Sequence, residues 1–356
     1  MQSYQLVEWG APLQLKIRET PQPVGEQVLV KVVAAGVCHS DVHIREGFFD
    51  LGGGRRARFA DSGAQLPMTL GHEISGEVVA LGEGATGIAV GSRVVVYPWV
   101  GCGQCKHCRA ERDMDCETPR SLGVRRDGGF SDHVLVPSSR YLVPVENMDM
   151  SFAATLACSG LTAVGALRKL PLLDPEDQVL IIGTGGVGLA AVAIAPLVTP
   201  AGVIVADLAE DRIEAGRRLG AREGIKLHPG ESTASVRDRF SGRVAAVIDF
   251  VGSPETSALA VGLVSKGGMV IVVGMSGGSL DISLPMLSTR NLTLRGSYVG
   301  SIGDLRDLVK YAEEGRLPSL PISVKPMNSV NQVIDDLNHH RVLGRIVTTP
   351  DAAVAQ

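Results

Sequence analysis

The chain has 356 residues, which is enough for two domains of ordinary size that each bury a core. A formal net charge of -4 at pH 7 and a pI near 6.1 give no broad basic field, so nucleic acid is excluded as an expected partner. The first ten residues include Glu8 and lack the basic-then-apolar build of a secretory leader, which predicts a cytoplasmic protein. In that compartment the six cysteines are expected to be metal ligands or reactive thiols rather than disulfides.

The first part of the chain is predicted to be rich in β-structure. Alternating or continuous apolar patterns predict strands at 5–7, 13–17, 27–33, 71–79 and 90–97. A segment rich in glycine and arginine, 51–65, is predicted to be an exposed loop. The segment 36–43 follows a strand and contains five residues capable of chemistry: Cys38, His39, Ser40, Asp41 and His43.

The six cysteines fall into two groups. Four have the spacing C-x2-C-x2-C-x7-C: Cys102, Cys105, Cys108 and Cys116. Four thiolates in one short lobe match a closed tetrahedral zinc site, although an iron–sulfur cluster uses the same ligands and the spacing does not exclude it. Cys38 and Cys158 are left over and, with His72, would form a three-ligand set that leaves a fourth position open, as in catalytic zinc sites. A buried structural cysteine is the alternative interpretation for either thiol.

A nucleotide-binding motif is predicted at 179–207, where an apolar run precedes a glycine cluster, a second apolar run and one carboxylate. Gly183, Gly185 and Gly188 occupy the three positions of G-x-G-x-x-G. A helix opening at Gly186-Val187 would direct its unpaired N–H groups at a pyrophosphate.

Asp207 stands at the end of the second apolar run, close to the roughly 20-residue spacing of the acid that accepts ribose hydroxyls. A carboxylate at this place repels a 2′-phosphate, so NAD is favoured over NADP. The uncharged stretch is also long enough to cross a membrane, but the glycine cluster, Pro196 and Pro200 argue against a span. Two later apolar runs, 245–249 and 269–274, are predicted to extend the same parallel sheet.

Six motifs, taken in order, resemble those of the zinc-dependent medium-chain alcohol dehydrogenases along essentially the whole chain. They are GVCHSDVH at 36–43, GHEISGEV at 71–78, the cysteine lobe at 102–116, Cys158, GTGGVG at 183–188 and Gly344-Arg345. The tetrameric prokaryotic, NAD-dependent members are the most similar in character. The resemblance implies an α/β fold in which a doubly wound Rossmann domain accompanies a β-rich GroES-like catalytic domain. The expected boundaries are 1–156 for the first part of the catalytic domain, with the zinc lobe at about 98–118, then 157–296 for the NAD-binding domain and 297–356 for the rest.

The resemblance also implies a role for each matching residue. Cys38, His72 and Cys158 would bind catalytic zinc, with Glu73 behind the metal as a nearby acid or alternate ligand. Asp41 would orient the zinc histidine. Ser40 and His43 would relay the proton of the alcohol. The four lobe cysteines would hold a structural zinc, which decides against iron–sulfur by resemblance only.

Contacts with the cofactor and the substrate follow in the same way. The implied cofactor-binding residues are His39, Gly183, Gly185, Gly186, Val187, Gly188, Asp207, Arg212 and Arg345. The implied substrate pocket consists of Phe49, Trp99, Ser121, Met275 and Tyr298. Close relatives have an aromatic residue where this chain has Ser121, so the pocket is expected to accept bulky or aromatic substrates.

The function implied is reversible oxidation of primary or secondary alcohols to aldehydes or ketones, with hydride transfer to NAD and two zinc ions per chain. A homotetramer is expected, with a dimer as the second choice. A polyol or sugar dehydrogenase of the same superfamily is an alternative, although such relatives usually have glutamate as the third ligand and a more polar pocket. A non-catalytic NAD- or zinc-binding protein is a remote alternative, because it would not need Ser40, His43 and an open metal site together.

Overall fold

The structure is a computed structural model that describes residues 1–240 and 242–350. Its strands in chain order are β1 (Gln2–Leu6), β2 (Gln14–Ile17), β3 (Val28–Val37), β4 (Phe48–Asp50), β5 (Arg56–Arg58), β6 (Met68–Thr69), β7 (Glu73–Leu81), β8 (Arg93–Val96), β9 (His133–Val136), β10 (Leu142–Pro144), β11 (Gln178–Ile182), β12 (Gly202–Asp207), β13 (Glu223–Lys226), β14 (Val244–Asp249), β15 (Met269–Val272), β16 (Thr293–Gly296), β17 (Ile322–Pro326) and β18 (Arg345–Thr349).

The α-helices are α1 (His39–Glu46), α2 (Lys106–Arg109), α3 (Met150–Thr155), α4 (Leu161–Leu167), α5 (Gly186–Ile194), α6 (Glu210–Arg218), α7 (Thr233–Arg237), α8 (Pro254–Leu263), α9 (Leu284–Thr289), α10 (Ile302–Glu313) and α11 (Val330–Asn338). These elements form two compact units. The first contains Met1–Phe48, Arg58–Leu161 and the described residues from Gly300 on; the second contains Phe49–Ala57 and Thr162–Val299. The nucleotide domain was predicted at 157–296; the second unit begins and ends a few residues later and also takes in the segment of β4 and β5.

The first unit is organised around β3, the longest strand of a seven-stranded sheet. The sheet order is β10-β8-β7-β3-β18-β17, and β9 pairs with the first half of β3. Gly36 near the end of β3 faces Glu73 on one side and Val347 on the other. The register therefore places the end of β3, the start of β7 and the start of β18 side by side, and the candidate metal ligands are found there.

Gly36 is required at this point by close approach rather than by its backbone angles. A Cβ on Gly36 would lie 2.0 Å from Glu73 Oε2. Any side chain here would displace the Glu73 carboxylate, so the glycine makes room for it.

The segment Met150–Leu167 forms a continuous apolar helix. It consists of α3, a π-helical turn at Leu156–Gly160, and α4. The segment Met150–Leu167 is long and apolar enough to span a membrane, but 83% of it is buried inside the fold. A core helix of a water-soluble protein passes the same test, so the segment gives no more than weak support for a span.

The second unit is built on six parallel strands in the order β13-β12-β11-β14-β15-β16. This is the doubly wound order of a Rossmann fold, with β11 at the centre. The two strands that flank β11, namely β12 and β14, are buried along their whole length, as expected for a sheet covered on both faces. Their apolar side chains pack with those of α8, including Ile204, Val247 and Ala260.

The prediction that 51–65 forms an exposed loop was wrong in part. The segment contains β5 and a 3-10 turn at Ala60–Ser62, and both Phe59 and Ala64 are buried. Phe59 is the physical reason, because burial of its ring anchors the turn and its N–H donates to Gly47 O at 3.0 Å.

Candidate active site

Four potential metal ligands lie together in the first unit. One donor atom from each of Cys38, His72, Glu73 and Cys158 lies within 4.8 Å of all the others, and all four residues are buried. Cys38 follows β3, Glu73 opens β7 with His72 directly before it, and Cys158 lies in the π-helical turn. π-helical turns are rare and frequently occur at functional sites, and this one places a thiol in the cluster.

The start of α1 fixes the position of Cys38. Cys38 is the N-cap residue of this helix, and Asp41 at the third helical position accepts a hydrogen bond from the Cys38 N–H at 2.9 Å. Asp41 Oδ1 also lies 3.4 Å from His72 Nδ1, although the two groups are not aligned as a hydrogen bond. The structure thus brings Asp41 against two of the predicted ligands, the arrangement that orients ligands in metal sites.

The donor atoms of this cluster fit a metal ion. Both ring nitrogens of His72 and Oε2 of Glu73 are buried and have no hydrogen-bond partner. Buried polar atoms are nearly always paired, so three unpaired atoms beside two thiols indicate a place built for a ligand. Two sulfurs and one imidazole are a donor set that suits zinc and leaves a position open.

The charges around the cluster are coupled. A hydrogen bond with Cys158 lowers the pKa of the Cys38 thiol, and the same bond raises the pKa of Cys158, so the pair favours one thiolate beside one thiol. Burial raises the pKa of Glu73 to about 7, although Arg345 opposes this. Arg345 Nη2 donates to Glu73 Oε1 at 2.5 Å, and both side chains are buried. Sequence reasoning did not foresee this ion pair; the predicted contact of Arg345 with a pyrophosphate stays a prediction.

The cysteine lobe forms a second cluster of a different kind. The Sγ atoms of Cys102, Cys105, Cys108 and Cys116 lie within 4.8 Å of one another. The backbone supplies N–H donors to these sulfurs: Gln104 N and Cys105 N both lie 3.4 Å from Cys102 Sγ. These donors lower the pKa of Cys102 to about 6, which favours the thiolate that zinc binds. Four sulfurs with no further position fit a structural zinc.

One supporting residue of the lobe was missed by sequence reasoning. Asp113 is fully buried and accepts hydrogen bonds from Arg140 Nη2 at 2.7 Å, Tyr141 Oη at 2.9 Å and Gly101 N at 3.3 Å. Burial also raises the pKa of Tyr141. An aspartate among the charged residues of the lobe gives no sequence signal for such a role.

The predicted proton relay lies beside the buried cluster. Cys38 Sγ lies 3.7 Å from Ser40 Oγ. Burial lowers the pKa of His43, which keeps its imidazole neutral near pH 7 and able to accept a proton. The His43 ring packs edge-on against His39 at 5.3 Å, and His340, which the sequence did not indicate, stacks on His39 at 6.1 Å.

The predicted pocket residues are divided between the units. Trp99 and Ser121 belong to the first unit and are buried. The Trp99 ring lies 5.4 Å from that of His72, and its Nε1 donates to Ala157 O at 3.2 Å. Phe49, Met275 and Tyr298 belong to the second unit, where Met275 and Tyr298 are exposed. Their common role as a substrate pocket stays a prediction.

The glycine motif of the second unit forms a tight turn between β11 and α5. Gly183 has φ +87°, in the left-handed region that glycine favours, and Gly185 is the N-cap of α5, whose first residues are Gly186 and Val187. A Cβ on Gly188 would lie 2.0 Å from Gly183 O, so close helix–strand packing requires glycine there. The turn and the start of α5 have the glycine-dependent geometry that the motif predicts, and phosphate binding at the N-terminus of α5 stays a prediction.

Asp207 ends β12 and is nearly buried. Its Oδ2 accepts from Thr184, and its Oδ1 accepts from Ala209 N at 3.0 Å and lies 4.0 Å from Arg212 Nη1. Arg212 comes from α6, so the structure brings a cation to the carboxylate from the helix that follows the strand.

Comparisons with known proteins agree with this architecture. Residues 25–147 match the family model described as alcohol dehydrogenase GroES-like domain, and residues 186–314 match the model described as zinc-binding dehydrogenase. A relative named NAD-dependent alcohol dehydrogenase, from Sulfurisphaera tokodaii, is 37% identical over 98% of this chain and 100% of its own length. The D-arabinose 1-dehydrogenase (NADP(+)) of Saccharolobus solfataricus is 32% identical over 97% of this chain and 96% of its own. The crystal structure of the alcohol dehydrogenase from Aeropyrum pernix superposes with a TM-score of 0.89 at 31% identity, covering 98% of this chain and 100% of that one.

The fold and both clusters define a dehydrogenase made of a GroES-like part with zinc ligands and a Rossmann part for a dinucleotide. The chain belongs to the zinc-dependent medium-chain alcohol dehydrogenase family. The predicted family, fold class and cofactors, zinc and NAD, are confirmed.

Proposed function

We propose that this protein is an NAD-dependent zinc alcohol dehydrogenase that reversibly oxidises primary or secondary alcohols to aldehydes or ketones. The observation that carries the proposal is the buried set of two thiols and one imidazole, in which both imidazole nitrogens have no hydrogen-bond partner, in a chain that also has a dinucleotide motif. The proposal includes a small-molecule substrate, no nucleic acid or membrane partner, a cytoplasmic location and a homotetramer, with a dimer as the second choice.

Each cofactor has an assigned place. Cys38, His72 and Cys158 would hold catalytic zinc, and the four lobe cysteines would hold structural zinc. When bound, catalytic zinc supplies a Lewis acid that lowers the pKa of an alcohol hydroxyl. NAD supplies the hydride acceptor and would bind at the glycine motif and Asp207.

The chain's own residues would manage the proton and the charge. Ser40, in contact with Cys38, would take the proton of the alcohol, and His43, kept neutral by burial, would receive it. The buried Glu73 carboxylate and Arg345 guanidinium form an ion pair beside the ligands. Because each charge neutralises the other, the free-energy cost of burying the two charges is reduced. Trp99, packed against His72, covers one side of the cluster with an apolar surface and excludes water from it.

We propose further that the substrates include bulky or aromatic alcohols. Ser121 is small and buried, and the resemblance implies that close family members have an aromatic residue at this position. A polyol or sugar dehydrogenase is the second candidate, and the similarity to a D-arabinose dehydrogenase favours it. The buried cysteine at the third ligand position and the apolar Trp99 beside the cluster favour the first candidate.

The test is NADH formation by the zinc-loaded protein on a panel of ethanol, hexanol, benzylic and cyclic alcohols, sorbitol and arabinose. We expect the benzylic and cyclic alcohols to be turned over at least as well as ethanol. Ser121→Phe should lower kcat/KM for the bulky substrates about 10-fold or more and spare ethanol, whereas Ser121→Ala should change neither. Turnover of ethanol alone would contradict the bulky-substrate proposal, and better turnover of sorbitol or arabinose than of hexanol would favour the sugar dehydrogenase.

A further inference from the structure

Thr184 occupies the variable position inside the first G-x-G of the nucleotide motif and is fully buried. Its backbone N–H donates to Asp207 Oδ2 at 2.8 Å, and its hydroxyl donates to the same oxygen at 3.1 Å. A backbone donor is available from any residue at this position, but the second donor exists only because residue 184 carries a hydroxyl.

The two oxygens of Asp207 consequently have separate surroundings. Oδ2 is held by Thr184, while Oδ1 accepts from Ala209 N and is the oxygen near Arg212. An ionised carboxylate has about four acceptor sites, two on each oxygen. Thr184 fills both sites of Oδ2 and Ala209 fills one site of Oδ1, so Oδ1 keeps capacity for a further donor such as a ribose hydroxyl. Because both donors of Thr184 act on one oxygen, they restrict rotation of the carboxylate about its last bond.

A fixed carboxylate affects NAD and NADP in opposite directions. A ribose hydroxyl binds best to an acceptor that is already oriented, since no side-chain freedom is then lost on binding. A 2′-phosphate is repelled by the carboxylate and could be accepted only if Asp207 turned away and left Arg212 to pair with the phosphate. A bond that prevents Asp207 from turning therefore favours NAD and excludes NADP.

We propose that Thr184 is a positioning residue for cofactor discrimination, whose hydroxyl locks the Asp207 carboxylate in the orientation that accepts ribose hydroxyls and rejects a 2′-phosphate. The inference rests on the proposed function to the extent that NAD is the cofactor. It adds a determinant of cofactor preference that lies in the glycine loop after β11, whereas Asp207 lies at the end of β12.

The test uses variants that differ in one hydroxyl. Thr184→Val and Thr184→Ala remove it, and Thr184→Ser keeps it. Thr199→Val is the matched control, because Thr199 is also buried, lies at the opposite end of β12, and uses its hydroxyl to accept from Ala201 N at 3.2 Å. The dissociation constants of NADH and NADPH are measured by fluorescence titration of the zinc-loaded protein without alcohol, and KM and kcat are measured with each cofactor.

We expect Thr184→Val and Thr184→Ala to weaken NADH binding about 10-fold, the effect of losing a hydrogen bond to a charged group, while NADPH binding stays the same or improves. The kcat with NAD should stay within about twofold, and Thr184→Ser and Thr199→Val should keep the wild-type ratio of the two affinities. In an Asp207→Ala background Thr184→Val should have no further effect, because a residue that acts through Asp207 has nothing left to position.

Several results would overturn the inference: an unchanged affinity ratio in Thr184→Val, an equal loss for both nucleotides, or an effect that persists without the Asp207 carboxylate. The first would show that the hydroxyl is not needed, and the other two that Thr184 supports the loop as a whole. A wild-type protein that binds NADH in preference to NADPH but oxidises no alcohol would defeat the proposed function and leave this inference standing.

Discussion

The two cysteine clusters of the first unit are assembled in opposite ways. The lobe takes its four sulfurs from one short segment, 102–116, and its own loop supplies N–H donors to them. The other cluster takes Cys38, His72 and Cys158 from three distant parts of the chain and buries them where several donor atoms have no partner. A cluster that satisfies its ligands locally is suited to hold structure together. A cluster that relies on the whole fold and leaves donor atoms unpaired is suited to bind an exchangeable ligand.

Removing a ligand from the buried cluster should give the largest effect on activity. We expect Cys158→Ala to lower kcat/KM for alcohols by on the order of 10³-fold or more, because zinc contributes several kcal/mol of charge stabilisation in the transition state. Zinc content should fall from two ions per chain to one, while the melting temperature changes little. Elemental analysis, kinetics and thermal unfolding check these results. One zinc per chain in the wild type, unchanged by the substitution, would show that only the lobe binds metal.

The opposite pattern is expected when a lobe ligand is removed. We expect Cys105→Ser also to lower zinc content to one ion per chain but to cost about 4 kcal/mol of the free energy of unfolding, the size associated with loss of a structural metal. The protein that remains folded should keep most of its kcat, because the ligand segment 102–116 contains none of the predicted substrate contacts. Denaturant unfolding and kinetics on the same preparation make the comparison. A Cys105→Ser protein with normal stability and no activity would contradict the division of roles.

The same contrast explains what could be predicted from the sequence. The lobe was visible from its spacing alone, because its ligands are neighbours along the chain. The glycine loop was predictable for a similar reason, since strand, turn and helix follow one another within 179–207. The buried cluster was proposed from leftover cysteines and a resemblance, because no local pattern indicates that the end of β3, the start of β7 and a π-helical turn meet.

Contacts that depend on tertiary packing were not predictable. Arg345 was expected at a pyrophosphate, and nothing in its neighbourhood along the chain indicates the bond to Glu73, which follows from the pairing of β3 with both β7 and β18. The anchoring of the 51–65 segment by Phe59 was hidden by the glycines and arginines around it. His340 lies near His39 only because of where α11 ends.

The smallest of the three effects is expected from the carboxylates that support the two clusters. Asp41 accepts from Cys38 N and lies beside His72, whereas Asp113 accepts from Arg140, Tyr141 and Gly101 under the lobe. We expect Asp41→Asn to lower zinc affinity at the buried cluster, or kcat/KM, by roughly 10- to 100-fold, the usual effect of losing a residue that orients metal ligands. Its melting temperature should change little, because asparagine keeps the helix cap.

Asp113→Asn is the matched control, since it makes the same chemical change at a buried acid. We expect it to cost about 2 kcal/mol of unfolding free energy, because Arg140 and Tyr141 lose a charged acceptor, and to leave kcat/KM per folded molecule within about twofold. Asp335→Asn breaks only the half-exposed ion pair with Arg45. It should change the free energy of unfolding by less than about 0.5 kcal/mol and kcat/KM by no more than the corresponding factor of about two. If Asp41→Asn were instead to destabilise the protein and spare zinc binding, the Asp41 carboxylate would stabilise the fold without orienting the metal ligands. The buried cluster would then be held in place by packing rather than by its neighbouring acid.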